Sequence, residues 1–197
     1  MEYSDNLLKS ANELFLKKRF NDAISKYKKI IEFEPNNLVA INNIGYALSK
    51  SKDYQNAIRY YDYGLQQDPN EKTLLINKIS ASRKMTILNY ALDSCNTILS
   101  KTPKDLIVLY HKLRILYALK KYELSLKICD EILLLYPNNG DVLFDKACNL
   151  LSLDRNEECL KSLNEAIKIS NEFKLKAKKN KLFKKLEKNH IFINLMT

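Results

Sequence analysis

Apolar residues recur along the chain with the spacing of an amphipathic helix. Leu7, Ala11 and Leu14 stand at positions i, i+4 and i+7, so they share one face of a helix predicted over residues 3–17. A second face of the same kind predicts a helix over residues 20–33. Only a short polar stretch separates the two helices. The pattern therefore predicts a pair of antiparallel helices joined by a tight turn.

Four prolines divide the chain at a constant interval. They are Pro35, Pro69, Pro103 and Pro137, and each lies 34 residues after the last. Proline ends helices because it lacks a backbone donor and clashes with the preceding turn. A constant interval predicts one helical pair copied along the chain, as in a solenoid. Asn or Asp residues close to the prolines are expected to cap the next helix.

Residues aligned on these prolines resemble the tetratricopeptide repeat (TPR), which carries large and small apolar residues at fixed places before a proline. The second unit carries the pattern as Ile41, Ile44, Gly45, Leu48, Tyr54, Ala57, Tyr61 and Pro69. The resemblance implies an all-α, right-handed α-solenoid of about five helix-turn-helix repeats with a C-terminal capping helix. The repeats would fill a domain over residues 1–170, at about 4–37, 38–71, 72–105, 106–139 and 140–171.

The segment after the repeats differs in composition. Residues 171–197 hold eight Lys and two Glu, a net charge of +6 within a chain of net charge +10. A second domain, over residues 172–197, is predicted to contain a basic helix over 172–188 and an apolar tail. The helix would cap the last repeat, with Leu175, Leu182, Phe183 and Leu186 facing inward. The tail would continue this helix, fold back, or pack on another chain and so allow self-association.

Lysines of this predicted helix recur at spacings of four and three, which places them on one face as a basic stripe. They are Lys174, Lys178, Lys181, Lys185 and Lys188. Such a stripe is the basis of an alternative function, the binding of nucleic acid or an anionic surface. Absence of Arg and of interleaved aromatic residues disfavours nucleic acid as a partner. A solvated face of the capping helix is the competing interpretation.

Signatures of catalysis and metal binding are absent from the sequence. It has two His and four Cys, no Cys pair has CxxC spacing, and no phosphate loop, HExxH or GxSxG motif occurs. We therefore expect no enzyme activity, no cofactor and no metal. Cys95, Cys129 and Cys159 stand at places expected in the core, and the cysteine pattern suits a reducing compartment. With no signal peptide and no apolar run of ~20 residues, a cytoplasmic location without a membrane span is expected.

Binding of another protein is the function that the TPR resemblance implies. In that family, places 2, 5, 6, 9, 12 and 13 of each unit face a concave groove that takes an extended peptide or a helix. The candidate groove residues are Asn12, Asn42, Asn43, Tyr46, Asn77, Arg83, Lys84, Tyr110, His111, Arg114, Tyr117, Phe144 and Asp145. Amides can donate to and accept from a peptide backbone, and Arg114 can hold a carboxylate. An ordinary hydrated helix surface is the alternative.

Overall fold

The computed structural model describes residues 2–197, and Met1, the first residue of the predicted repeat domain, lies outside it. These residues form helices and no strands, which confirms the predicted all-α fold. The helices are α1 (Glu2–Leu16), α2 (Phe20–Phe33), α3 (Leu38–Lys50), α4 (Tyr54–Gln67), α5 (Lys72–Lys84), α6 (Leu88–Lys101), α7 (Leu106–Ala118), α8 (Tyr122–Leu135), α9 (Gly140–Ser152), α10 (Asn156–Ile169), α11 (Glu172–Lys179), a 3₁₀ helix (Lys181–Leu186) and α12 (His190–Met196).

Consecutive helices pack as antiparallel hairpins, and neighbouring hairpins pack on each other within each compact unit. Helix α1 packs on α2, α3 on α4, α7 on α8 and α9 on α10, while α2–α3, α4–α5 and α8–α9 contacts join neighbouring hairpins. Helices α3, α5, α7 and α9 begin 34 residues apart. The chain divides into two compact units, an N-terminal unit that ends at Ile98 and a C-terminal unit that begins at Leu99. The number of repeats stays a prediction.

Side-chain caps begin the first helix of several hairpins, as the residues near the prolines predict. The Asn37 side chain accepts a hydrogen bond from the Ala40 backbone N–H at 2.9 Å, and Asn139 accepts one from Val142 at 3.1 Å. Asp105 accepts from the N–H groups two and three residues later. These bonds satisfy helix N–H groups that have no partner within the helix. The linkers thus fix where each hairpin starts.

A left-handed residue closes the first helix of each hairpin. After α1, Lys18 has φ of 60°, its N–H donates to the Phe15 carbonyl at 2.9 Å, and the Arg19 N–H donates to the Leu14 carbonyl at 2.9 Å. This pair of bonds is the Schellman motif, which satisfies the last helical carbonyls. The same turn recurs every 34 residues, at Lys52, Thr86, Lys120 and Asp154. None of the five is glycine, so the sequence carries no marker of these turns.

Small residues allow the helices of a hairpin to approach closely. Ala11, Ala57 and Ala147 are fully buried. A Cβ on Gly45 would lie 2.4 Å from Cε1 of Tyr61, a side chain that is itself fully buried. The ring of Tyr61 therefore occupies the space that a larger residue at position 45 would need. The positions of the repeat pattern that hold small residues therefore lie where two helices cross.

The predicted cap covers the last hairpin, but it is not a single helix over 172–188, because the structure ends α11 at Lys179. Asn180 has extended backbone angles, and its side chain accepts from the Leu182 N–H at 3.0 Å, which starts the 3₁₀ helix. On a straight helix at about 100° per residue, Ala177 and Leu186 would point in opposite directions. Both are almost fully buried. Breaking the helix lets both face the last hairpin, whereas Leu175 is 56% exposed.

The apolar tail folds back on its own chain. Helix α12 packs on α10 and α11. The Phe192 ring, 8% exposed, stacks on the Phe183 ring with centroids 6.0 Å apart. Both rings join a core that includes Cys148, Leu151 and Leu160 of the last hairpin. Within residues 2–197, no helix has the length and apolar character needed to cross a membrane.

Candidate functional site

In the N-terminal unit, side chains of the first helices of successive hairpins meet on one face. The Phe15 ring of α1 stacks on the Tyr46 ring of α3 at 5.4 Å, and the Lys50 ammonium lies 5.0 Å from the Tyr46 centroid. The side-chain amide of Asn77 on α5 donates a hydrogen bond to the side-chain oxygen of Asn42 on α3 at 2.8 Å. We call these five residues the N-terminal face. It combines aromatic, amide and cationic groups. Asn42, Tyr46 and Asn77 are among the candidate groove residues predicted from the sequence.

Two predicted groove residues, Asn12 and Asn43, bind a core tyrosine instead of standing free. The Tyr27 hydroxyl of α2 donates to the Asn12 side-chain oxygen at 2.6 Å. Burial raises the pKa of Tyr27, and a side-chain hydrogen bond with Asn43 acts in the opposite direction. A buried hydroxyl needs such partners. These two asparagines therefore have a structural role within the first two hairpins.

A cavity of about 240 Å³ opens beside Asn42. Leu38 and Val39 of α3 bound it on one side, and Thr73 and Leu74 of α5 bound it on the other. The Val39 side chain is 56% exposed. The cavity extends the N-terminal face toward the start of α3 and α5. By contrast, the predicted groove residues Arg83 and Lys84 lie in the last turn of α5.

The C-terminal unit has a second cluster at predicted groove positions. The Arg114 guanidinium of α7 lies over the Tyr110 ring, 4.8 Å from its centroid, and its Nε lies 3.4 Å from an Asp145 carboxylate oxygen of α9. Burial raises the pKa of Asp145, while Arg114 lowers it. Burial, together with the nearby carboxylates, raises the pKa of the Tyr110 hydroxyl. The cation remains 43% exposed and can bind an anionic group.

Tyr117 and His111 lie on the same helix as this cluster. The Tyr117 hydroxyl is 3.5 Å from the Ser152 hydroxyl of α9, and its ring meets the Tyr122 ring edge-on at 5.4 Å. Burial raises the pKa of Tyr117. His111 is half-buried. We call Tyr110, Arg114, Tyr117 and Asp145 the C-terminal face.

Phe144, another predicted groove residue, is covered by the segment after the last hairpin. Its ring lies 5.9 Å from the Phe173 ring of α11 and 5.7 Å from the Phe183 ring of the 3₁₀ helix. Cys148, one turn further along α9, is buried and contacts the Asn180 amide through its sulfur at 3.8 Å. The chain therefore packs its own rings against this end of the α9 surface, and Phe144 is only partly exposed.

The predicted basic stripe has no continuous helix to carry it. Lys174 and Lys178 belong to α11, Lys181 and Lys185 to the 3₁₀ helix, and Lys188 to the turn after it. Lys185 also pairs with Asp154 at 3.0 Å. The break at Asn180 changes the direction of the chain, so the five ammonium groups do not share one helical face.

A pocket in this C-terminal segment was missed by the sequence analysis. It has a volume of about 460 Å³, and α11, the 3₁₀ helix and α12 all contribute to it. Its floor contains Phe183 and Phe192. The pocket depends on the two bends near Asn180 and Asn189. Asn before an apolar run is a helix-start signal, but it does not reveal how the short helices pack.

Within residues 2–197, no group of three or more His, Cys, Asp or Glu side chains is placed to hold a metal ion. The Cys129, Cys148 and Cys159 thiols are buried, and burial raises their pKa values, that of Cys159 to about 12. Raised pKa values disfavour the reactive thiolate.

Comparison with known proteins identifies the repeats. The tetratricopeptide-repeat family model matches residues 39–71 and 140–173. No curated protein sequence matches the chain. A tetratricopeptide repeat protein from Parabacteroides merdae ATCC 43184 has a TM-score of 0.85 at 18% identity and covers 99% of this chain and 78% of its own.

Two further structures have similar folds. MamA from Desulfovibrio magneticus RS-1, residues 41 to the end, gives a TM-score of 0.78 at 15% identity over 86% of this chain and 96% of its own. YrrB, described as a TPR protein with an unusual peptide-binding site, gives 0.70 at 18% identity over 88% and 91%. These identities support the fold alone. The chain therefore contains tetratricopeptide repeats and has the fold of proteins built from them.

Proposed function

We propose that this chain is a non-catalytic interaction module that binds a peptide or helix of another protein. The observation that carries the proposal is the pairing of first-helix side chains in each unit. Phe15 with Tyr46, Asn42 with Asn77, and Arg114 with Asp145 join successive first helices at partly exposed positions. Rigid aromatic rings and a stacked arginine are typical of binding hot spots. The same helices place their other sides in the core.

The N-terminal face offers amide and aromatic contacts. Asn42 and Asn77 hold each other in fixed orientations, and each amide keeps hydrogen-bonding capacity for a peptide backbone. Tyr46 is 38% exposed and is held between a ring and an ammonium group. Because the ring is already ordered, binding it costs little side-chain entropy. A peptide with an apolar side chain next to polar backbone would fit this surface.

The C-terminal face offers a cation with a partly buried counter-charge. Arg114 is ordered by Tyr110 on one side and Asp145 on the other. The 3.4 Å contact with Asp145 leaves guanidinium N–H groups that can donate to a second carboxylate. We therefore expect partners of this face to bear an acidic residue or a C-terminal carboxylate.

A peptide selection would test the N-terminal face. Random peptides displayed on phage would be selected on the full chain, and the affinity of enriched peptides would be measured by fluorescence anisotropy. Tyr46→Ala should weaken binding of at least one peptide class tenfold or more, because it removes an ordered aromatic contact. Tyr63→Ala is the matched control, since Tyr63 is 37% exposed but lies on the second helix α4.

The same peptides would test the C-terminal face. Arg114→Ala should weaken acidic peptides about tenfold, whereas Lys127→Ala, which removes an exposed cation from the second helix α8, should not. Circular dichroism would confirm that each variant keeps its helices. If the variants on the first helices and their controls bound every enriched peptide as the parent chain does, the proposal would be wrong.

Two further proposals concern the setting of the protein. We expect a reducing, cytoplasmic environment, supported by four buried thiols without a disulfide.

Self-association through the C-terminus is also proposed, because Ile191 and Ile193 of α12 are 47% and 46% exposed although Phe192 is buried in its own chain. Light scattering over a range of concentrations would test self-association. A constant monomer mass would contradict it.

A further inference from the structure

The C-terminal segment contains a pocket whose floor is rigid. Phe183 and Phe192 stack with an interplanar angle of 8° and are 1% and 8% exposed. Their ring faces pack against each other and against the last hairpin. Ala177 of α11 is 1% exposed. Asn180 and Asn189 fix the neighbouring short helices by accepting hydrogen bonds from their first N–H groups. The pocket therefore does not depend on a loop for its shape.

The upper wall of the pocket is aliphatic and partly open. Ile193 and Met196 of α12 line it, and Ile193 is 46% exposed. The volume of about 460 Å³ lies in the range of small ligand sites. It has room for a bulky apolar side chain. Because both aromatic faces are already covered, a nucleobase would find no ring to stack on.

Positive charge surrounds this apolar floor. Lys178 and Lys184 line the mouth and are exposed, and Glu187 is the single acidic residue that lines it. Lys179 and Lys188 lie nearby in sequence. In residues 2–197 none of these four ammonium groups is within ion-pair distance of a carboxylate, in contrast to Lys176 and Lys185. The lining therefore has a net positive side-chain charge, which attracts an acidic ligand.

We propose that this pocket binds an acidic peptide segment of a partner protein, with one bulky apolar side chain in the pocket and flanking carboxylates on Lys178 and Lys184. Apolar burial supplies affinity, and the lysines supply orientation and a fast association rate. The site lies outside the N-terminal face and the C-terminal face, so tests of those faces do not decide whether this pocket binds a peptide.

The test uses the full chain and defined synthetic peptides. The probe is a fluorescein-labelled peptide with the sequence Asp-Glu-Asp-Phe-Asp-Glu-Asp, and its partner probe has Ala in place of Phe. Binding is measured by anisotropy at near-physiological salt, where charges more than ~8 Å apart are largely screened. We expect saturable binding of the Phe peptide, at least tenfold tighter than that of the Ala peptide. Equal binding of the two, or none, would overturn the proposal.

Matched variants locate the site. Lys178→Glu with Lys184→Glu should weaken binding at least tenfold, whereas Lys179→Glu with Lys188→Glu, which changes net charge equally outside the pocket lining, should weaken it less than threefold. Ile193→Ser should weaken binding about fivefold or more. Ile191→Ser, at a residue equally exposed but outside the lining, should leave it within twofold. Equal effects within either pair would show general charge or hydrophobic attraction instead of a site.

Competition separates peptide from other anionic ligands. A 12-nucleotide oligothymidine and decanoate are added to the labelled peptide complex. The proposal expects the unlabelled Phe peptide to displace the probe, and neither other ligand to do so at the same concentration. Tighter binding of the oligonucleotide, lost in the Lys178→Glu, Lys184→Glu variant, would assign the site to nucleic acid. Displacement by decanoate alone would assign it to a small amphiphile.

Discussion

Five residues hold a left-handed backbone although none of them is glycine. Lys18, Lys52, Thr86, Lys120 and Asp154 all have φ between 58° and 69°. For a residue with a Cβ, this conformation costs about 1–2 kcal/mol. Both Schellman hydrogen bonds are present around each of them, so each turn satisfies the last carbonyls of its helix. Each hairpin therefore retains a local strain that a single substitution can relieve.

Replacing a left-handed lysine with glycine should stabilise the protein. Lys120→Gly is expected to raise the free energy of unfolding by about 0.5–1 kcal/mol, because glycine adopts φ of 58° without a steric cost. Lys127→Gly, on an exposed helical position of α8, should lower it by about 1 kcal/mol. Urea unfolding followed by circular dichroism measures both. A loss of stability in Lys120→Gly would show that the turn is not strained.

Asp145 should make stability depend on pH. Its folded pKa is raised by burial above the ordinary value of 3.8, and Arg114 offsets part of this shift. The folded state thus holds the proton more tightly than the unfolded state, so the group favours folding at low pH and opposes it as the carboxyl ionises. Asp145→Asn removes this titration. The stability of the variant relative to the parent should rise as the pH increases above the ordinary pKa of 3.8, and it should level off above the raised folded pKa.

Urea unfolding at several pH values would measure the Asp145 effect. The control is Glu165→Gln, which removes an exposed carboxylate of α10 in the same unit. If Asp145→Asn and the control changed with pH in the same way, burial of Asp145 would not be the cause. Because Arg114 would keep a polar neighbour in the variant, the contact between α7 and α9 should survive the substitution.

At the scale of helices, Gly45 sets how closely α3 and α4 approach. An alanine Cβ would lie 2.4 Å from the Tyr61 ring, and that ring is fully buried. We expect Gly45→Ala to destabilise the N-terminal unit, because ~1–3 kcal/mol of overpacking exceeds the ~1 kcal/mol gained in helix propensity. Thermal unfolding would show a lower midpoint. Adding Tyr61→Leu should change the cost of Gly45→Ala, and full additivity would contradict a direct clash.

The short helices after α10 illustrate how packing overrides local pattern. Residues 172–188 have the composition of a single helix, yet α11 ends at Lys179. A straight helix could bury only one of Ala177 and Leu186, whereas the bend at Asn180 buries both. The extra apolar burial outweighs the lost helical hydrogen bonds, several of which are replaced by side-chain caps from Asn180 and Asn189.

At the scale of the compact units, neighbouring hairpins stabilise one another by packing, so a hairpin at the end of the array needs cover. The last hairpin buries Leu151 and Leu163 in a core shared with Phe183, Leu186 and Phe192. A repeat array has no other source of cover for its terminal hairpin. The segment from Glu172 onward is therefore a structural part of the C-terminal unit.

Loosening this segment should expose the Cys148 thiol more than the Cys95 thiol of the N-terminal unit. Phe183→Ala removes a fully packed ring, at a cost of about 3–5 kcal/mol if the unit cannot relax. Cys148 lies beneath the segment, so its rate of alkylation by iodoacetamide should rise well above that in the parent chain. Cys95, in the N-terminal unit, is the internal reference. Mass spectrometry of digested samples measures both, and parallel increases would indicate global unfolding instead.

For the hairpins up to α10, the sequence alone determined the helices, their starts and their small crossing residues, because these follow from local chemistry. Apolar spacing, the Pro interval and caps such as Asn37 act within one or two turns of the chain. Positions such as Tyr46 and Arg114 followed from the TPR resemblance, and the structure places both where they remain partly exposed. Their role in binding stays a proposal.

Only the tertiary structure decided which polar and apolar side chains already have partners within the chain. Asn12 binds Tyr27, Phe144 lies under Phe173 and Phe183, and the lysines lose their common helical face at Asn180. Each outcome depends on a residue distant in sequence, or on the balance between burial and helix continuity. Periodicity shows which way a side chain points from its own helix. It carries no information about the segment that comes to cover it.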